Sequence, residues 1–127
     1  GYEGVALDIL KDPNVDINLQ DQNGITALMW AIDKGHEGIA KKILERNDVN
    51  INLQHNSSHT ALMLGIIQGH KDIALEILKH KDIDINLQNK DGTTALMWAI
   101  DKDHEGIAKK ILERKDVNIN LQDQNNH

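Results

Sequence analysis

Ile17-Asn18-Leu19-Gln20 returns as Ile51-Asn52-Leu53-Gln54, Ile85-Asn86-Leu87-Gln88 and Ile119-Asn120-Leu121-Gln122, always 34 residues on. A fixed period of this size predicts one supersecondary unit stacked on copies of itself, each touching only its neighbours. Working outward from the tetrapeptide, the chain divides into a partial copy over 1–20, full copies over 21–54, 55–88 and 89–122, and the opening of another over 123–127, a single array over 1–127. The copies alternate. Asp21–Gln54 and Asn89–Gln122 differ at six places: Asp21/Asn89, Gln22/Lys90, Asn23/Asp91, Ile25/Thr93, Gly35/Asp103 and Asn47/Lys115. His55–Gln88 diverges further, and Gly1–Gln20 echoes it, so the order is ABAB and points to tandem duplication or construction of a double unit.

Within one copy the spacing predicts two short helices. Asn23-Gly24 is a turn dipeptide, and Thr26 is a helix N-cap whose hydroxyl accepts from a backbone N–H one turn on. Leu28, Ala31 and Ile32 recur at helical spacing, and Gly35 supplies the left-handed residue that stops the helix. Ile39, Ala40, Ile43 and Leu44 form the apolar stripe of the second helix, with Glu37 and Lys41 as an exposed i,i+4 pair. Asp48–Gln54 then reads as an extended, alternating return to the next turn.

The run Asn23-Gly24-Ile25-Thr26-Ala27-Leu28, followed by Gly35-His36 and Ile43-Leu44, resembles the ankyrin repeat, and the resemblance recurs at Thr60-Ala61-Leu62-Met63 and Thr94-Ala95-Leu96-Met97. It implies an all-α, ankyrin-type α-solenoid of stacked helix-turn-helix repeats with extended hairpin loops. It also implies a non-enzymatic module that binds a protein through a concave face made of the turn tips and the far ends of the first helices. Residue by residue, that face comprises Gln22, Asn23, Ile25, Asp33 and Lys34, then Asn56, Ser57, His59, Ile67 and Gln68, then Lys90, Asp91, Thr93, Asp101 and Lys102. Four of the six differences between the near-identical copies fall in the tips, as expected for a scaffold with replaceable contacts and equally for drift of solvated positions. Ile67 stands where the neighbours have Asp33 and Asp101, beside the thinning residue Gly65, and is the candidate hot spot, against the alternative that it folds inward.

The chain departs from the family pattern consistently. Ala27, Ala61 and Ala95 replace proline at little cost to a helix. Met29, Met63 and Met97 replace histidine, which removes a side-chain hydrogen bond back to the threonine. Asn47, Lys81 and Lys115 replace the glycine that closes the second helix, so that exit is expected to unwind differently.

Composition narrows the function. A net charge of −6 opposes a nucleic-acid partner, and Lys41-Lys42 and Lys109-Lys110 are flanked by acids at helical spacing, so they are solvated rather than a basic stripe. No run reaches the length of a membrane span and no signal peptide opens the sequence. Zero cysteines removes disulfides and thiolate metal sites and fits an intracellular, cytoplasmic setting. Catalysis finds no support, because His36, His70 and His104 recur with the period as structural residues. His55 and His59 break the period four residues apart, but no third ligand stands near, so no metal and no cofactor is expected.

Weaker signals receive structural readings. Asn56-Ser57-Ser58 is a sequon in a solvated turn, and the Asp/Asn pairs around Ile17, Ile51 and Ile85 are turn hydrogen-bonders rather than calcium ligands. Trp30 and Trp98 are expected to pack against the neighbouring helix, with exposed binding anchors as the alternative. Gly1–Leu10 aligns with a second helix and Leu121–Asn125 enters a new turn, so end-to-end self-association of an uncapped fragment is the rival to partner binding.

Overall fold

A computed structural model describes residues 11–123. The alignment of Gly1–Leu10 with a second helix, and the turn beyond Asp123, lie outside the described residues. Six helices follow in order, α1 Ala27–Asp33, α2 Glu37–Leu44, α3 Ala61–Gln68, α4 Lys71–Leu78, α5 Ala95–Asp101 and α6 Glu105–Leu112, with no strand among the described residues. α1, α3 and α5 pack side by side in one row and α2, α4 and α6 in a second, each pair closing as a hairpin.

The threonines start the first row. Thr26, Thr60 and Thr94 are extended, buried, and accept from the N–H of Met29, Met63 and Met97 at 3.2, 3.2 and 3.3 Å. The histidine missing from the family pattern is replaced once by sulfur, since the Thr94 N–H lies 3.4 Å from Met97 Sδ. Gly35 and Gly69 close α1 and α3 at φ +73° and +79°, and Asp103 closes α5 in the same left-handed region at φ +60°. His36, His70 and His104 then sit at the second-row N-caps, where their backbones serve and their side chains form no capping bond.

Second-row helices leave without any left-handed residue: Asn47, Lys81 and Lys115 all keep φ negative, and the last turn tightens instead, with Arg46 N–H on Ile43 O at 3.1 Å. On α2 the ion pair formed is Lys42–Glu45 at 3.5 Å, not the expected Glu37–Lys41. Glu37 lies in the first turn, where the helix dipole already favours its charge.

The core is a continuous seam between the rows, in which Ile32, Ile43, Ile66, Ile73, Ile77, Ile107 and Ile111 are fully buried. Each first helix spans barely two turns and would not persist alone, so packing holds it. The alternating return segment is less straight than the apolar pattern suggests. It bends at Ile51-Asn52, where Asn50 Oδ1 accepts from the Asn52 N–H at 3.1 Å, because a short polar side chain competes successfully for the backbone.

Candidate protein-binding face

The repeated tetrapeptide fixes where each loop sits. Ile17, Ile51 and Ile85 are buried, while the asparagines form a ladder between copies. Asn18 Nδ2 donates to Asp48 O at 2.8 Å and its Oδ1 accepts from Asn50 N–H at 2.7 Å. Asn52 repeats this with Asp82 O and Asp84 N–H, both at 2.8 Å, and Asn86 with Asp116 O and Asn118 N–H at 2.8 and 2.7 Å. The glutamines form a second ladder: Gln20, Gln54 and Gln88 each donate to a carbonyl in their own tip and to the next glutamine's carbonyl 34 residues on. Arg46, half-buried, adds a third tie by gripping Asp48 at 2.7 Å and the Val15 carbonyl at 2.9 Å. Hydrogen bonds from Arg46 and Arg114 hold the Asp48 and Asp116 carboxyls below the usual carboxylate range.

These ladders bring the tips together. Asp21 Oδ1 accepts from the N–H groups of Asn23 and Ile25 at 2.8 and 2.9 Å, and Asn89 Oδ1 does the same for Asp91 and Thr93 at 2.9 Å each. Neighbouring tips then join edge to edge, Asn56 N–H on Asn23 O at 2.9 Å and Asn56 Nδ2 on Gln22 O at 3.1 Å. A Cβ on Gly24 would meet His55 Cα at 2.8 Å, so only glycine allows this approach. Ser58 holds the equivalent place at φ +64°, and the next junction, Lys90 N–H to Ser57 O, is longer at 3.4 Å.

At the far ends of the first row, Gln68 Nε2 donates to Asp33 Oδ1 at 3.2 Å, which links α3 to α1. Lys34 and Lys102 lie 3.8 and 4.0 Å from Asp33 and Asp101, and 5.3 and 5.6 Å from the ring centres of Trp30 and Trp98. Ile67 is half-buried beside exposed Gln68. Gly65 does not thin this face: its missing Cβ points to Ala74 of α4 at 3.7 Å, an ordinary contact.

His59 is held rather than free. Because Asn89 Oδ1 is taken by two backbone donors, its amide nitrogen is the atom facing His59 Nε2 at 3.2 Å, which places the neutral imidazole's proton on Nδ1. That nitrogen and Trp98 Nε1 are both buried without a hydrogen-bond partner. The His59 ring lies tilted between two others, its centre 5.9 Å from that of Trp98 and 5.1 Å from that of His55. Burial, then the charge of His55, lowers the His59 pKa against an opposing pull from Asp91. Among the described residues no three metal-ligating side chains converge there.

One cleft opens between α1 and α3, of about 370 Å³, lined by Asp21, Asn23, Ile25, Met29, Trp30, Asp33, His55 and Leu64. Trp30 forms one wall and stays 50% exposed, whereas Trp98 is half-buried. The packing role expected of both tryptophans therefore holds for Trp98, which joins the core, while Trp30 keeps an open face. Asp21, Met29, His55 and Leu64 line the cleft without being among the contact residues the resemblance implies, and of these His55 alone is marked in the sequence, by its break of the period.

A sequence profile described as ankyrin repeats (3 copies) matches residues 2–89 and 50–123, and the chain belongs to the ankyrin-repeat family. The solved structure described as "Crystal Structure of EF0377 an Ankyrin Repeat Protein" superimposes with a TM-score of 0.80 at 32% identity, over 91% of this chain and 58% of that one. The chain thus spans rather more than half the length of that relative. No curated protein matches in sequence. Ankyrin repeats generally serve as protein–protein interaction modules and are generally non-enzymatic. No helix among the described residues is long and apolar enough to cross a membrane.

Proposed function

We propose that this chain, as one array over residues 1–127, binds a protein partner through the surface made by its loop tips and the far ends of α1, α3 and α5, with no chemistry of its own and in an intracellular, cytoplasmic setting. Supporting this reading is the edge-to-edge joining of tips and helix ends: Asn56 to Asn23 at one side and Gln68 to Asp33 at the other align side chains from successive copies into one surface. The contact residues are Gln22, Asn23, Ile25, Asp33, Lys34, Asn56, Ser57, His59, Ile67, Gln68, Lys90, Asp91, Thr93, Asp101 and Lys102, His59 being held in place by Asn89. Net charge of −6 turns the partner away from nucleic acid and anionic membrane.

Ile67→Asp tests the reading. A charge on a half-buried residue of the face is expected to reduce capture of the partner from source-cell lysate at least tenfold, as hot-spot residues do, while the thermal midpoint moves by only a few degrees. Undiminished capture, or a collapse of stability, contradicts it.

A second reading, end-to-end association of copies, has its own observation. Ile100, Leu112 and Ile119 are 63%, 51% and 67% exposed, while Ile32, Leu78 and Ile51 at matching positions are 1%, 8% and 1%. Another copy seated there would remove that apolar area from water. Sedimentation velocity over a wide concentration series should show growing oligomers that the Ile100→Lys, Leu112→Lys double variant abolishes; a monomer throughout eliminates this reading.

A further inference from the structure

The cleft between α1 and α3 is chemically one-sided. Ile25, Met29, Leu64 and the indole of Trp30 give it apolar walls, and the formally charged side chains in its lining are two carboxylates, Asp21 and Asp33. Asp21 is committed through Oδ1 to its own turn, and Asp33 through Oδ1 to Gln68, so each carries its negative charge in a fixed place. A ring face beside a fixed carboxylate is an arrangement that attracts a cation. The molecule supplies a sample of that preference itself: Lys34 Nζ stands 5.3 Å from the Trp30 ring centre and 3.8 Å from Asp33.

The next junction along the array lacks this chemistry. There Ile67 replaces Asp33, Leu64 replaces Trp30, and His59 replaces Ile25. Trp98, on the far side, is half-buried against His59 rather than open. Trp98, Asp101 and Lys102 repeat the trio on α5, but among the described residues no following copy closes a cleft there, so the cleft marks one junction and gives a partner a defined register on a repetitive surface.

We propose that this cleft takes an arginine side chain from an extended segment of the partner protein, its aliphatic stem lying on Ile25 and Leu64 and its guanidinium displacing the exposed Lys34 ammonium to stack on Trp30 and pair with Asp33. The inference rests on the reading of this surface as the binding face. Arginine suits the site better than lysine because its planar head stacks on an indole and meets a carboxylate through two N–H groups, and it sheds water more easily. The stem needs apolar walls, which the cleft provides.

The test is selection of a random twelve-residue peptide library against the intact chain, followed by affinity measurement on the selected peptides by fluorescence anisotropy. Enriched sequences should share one arginine flanked by apolar residues, and replacing it with uncharged citrulline should weaken binding about tenfold or more. Asp33→Asn, which keeps the acceptor for Gln68 and removes the charge, and Trp30→Ala should each weaken the parent peptide about fivefold or more and leave the citrulline peptide nearly unaffected. Peptides that lose affinity with Ile67→Asp yet carry no arginine, or ignore Asp33→Asn and Trp30→Ala, overturn the arginine inference and leave the binding face standing. Peptides indifferent to Ile67→Asp and to both cleft variants, or a selection that yields no binder, overturn both.

Discussion

At position 59 an imidazole stands where the flanking copies have Ile25 and Thr93, and its burial against Trp98 and Asn89 turns a sequence irregularity into a pH-sensitive contact. Protonation would place a proton on Nε2, where the Asn89 amide already donates, and bring charge beside His55. With the folded pKa below the unfolded value of about 6.5, the unfolded chain takes up the proton first. This contribution is thus fully present above about pH 6.5 and is lost as pH falls from there toward the folded pKa. Thermal midpoints measured from pH 7.5 to 5 should fall for the native chain and fall less for His59→Ile. The period break made His59 conspicuous in the sequence, but its acceptor role was hidden, because it depends on Asn89 thirty residues away.

Helix by helix, the local signals were well placed. Threonine starts and glycine stops were legible because capping uses atoms only a few residues apart. The stops differ in strain, since Gly35 and Gly69 enter the left-handed region freely and Asp103 must bring a Cβ into it at φ +60°. Asp103→Gly should therefore raise stability by roughly 0.5–1 kcal/mol, read as a thermal midpoint a few degrees higher. No increase would mean that the aspartate is locally compensated. The loop conformations were less legible: the Asn-rich return bends at Ile51-Asn52, where Asn50 Oδ1 takes the Asn52 N–H, and Ser58 adopts φ +64° in a turn closed by its N–H on His55 O, and apolar alternation reports neither.

Across the whole molecule, the repeated tetrapeptide has different energetic weight in different copies. Asn52 makes two hydrogen bonds to the following copy, to Asp82 O and Asp84 N–H, so Asn52→Ala should cost about 1–3 kcal/mol by leaving both backbone groups without that partner. Asn120 occupies the same place in its copy, is exposed, and its side chain makes no hydrogen bond among the described residues, so Asn120→Ala should stay within about 0.5 kcal/mol. Chemical denaturation of the two variants side by side checks the contrast. Equal effects would show that the ladder between copies carries none of the stability.

The helices α1 and α5 share one sequence, Ala-Leu-Met-Trp-Ala-Ile-Asp, and α2 and α6 share Glu-Gly-Ile-Ala-Lys-Lys-Ile-Leu. From sequence alone came the period, the caps, the helical stripes and the family, since all of these follow from spacing and side-chain type within one copy. Burial did not: Ile32 is 1% exposed and Ile100 63%, while Trp30 stands open and its twin Trp98 lies against His59. Identical residues part in this way because an apolar side chain is removed from water only by whatever stacks against it, and that neighbour belongs to another copy.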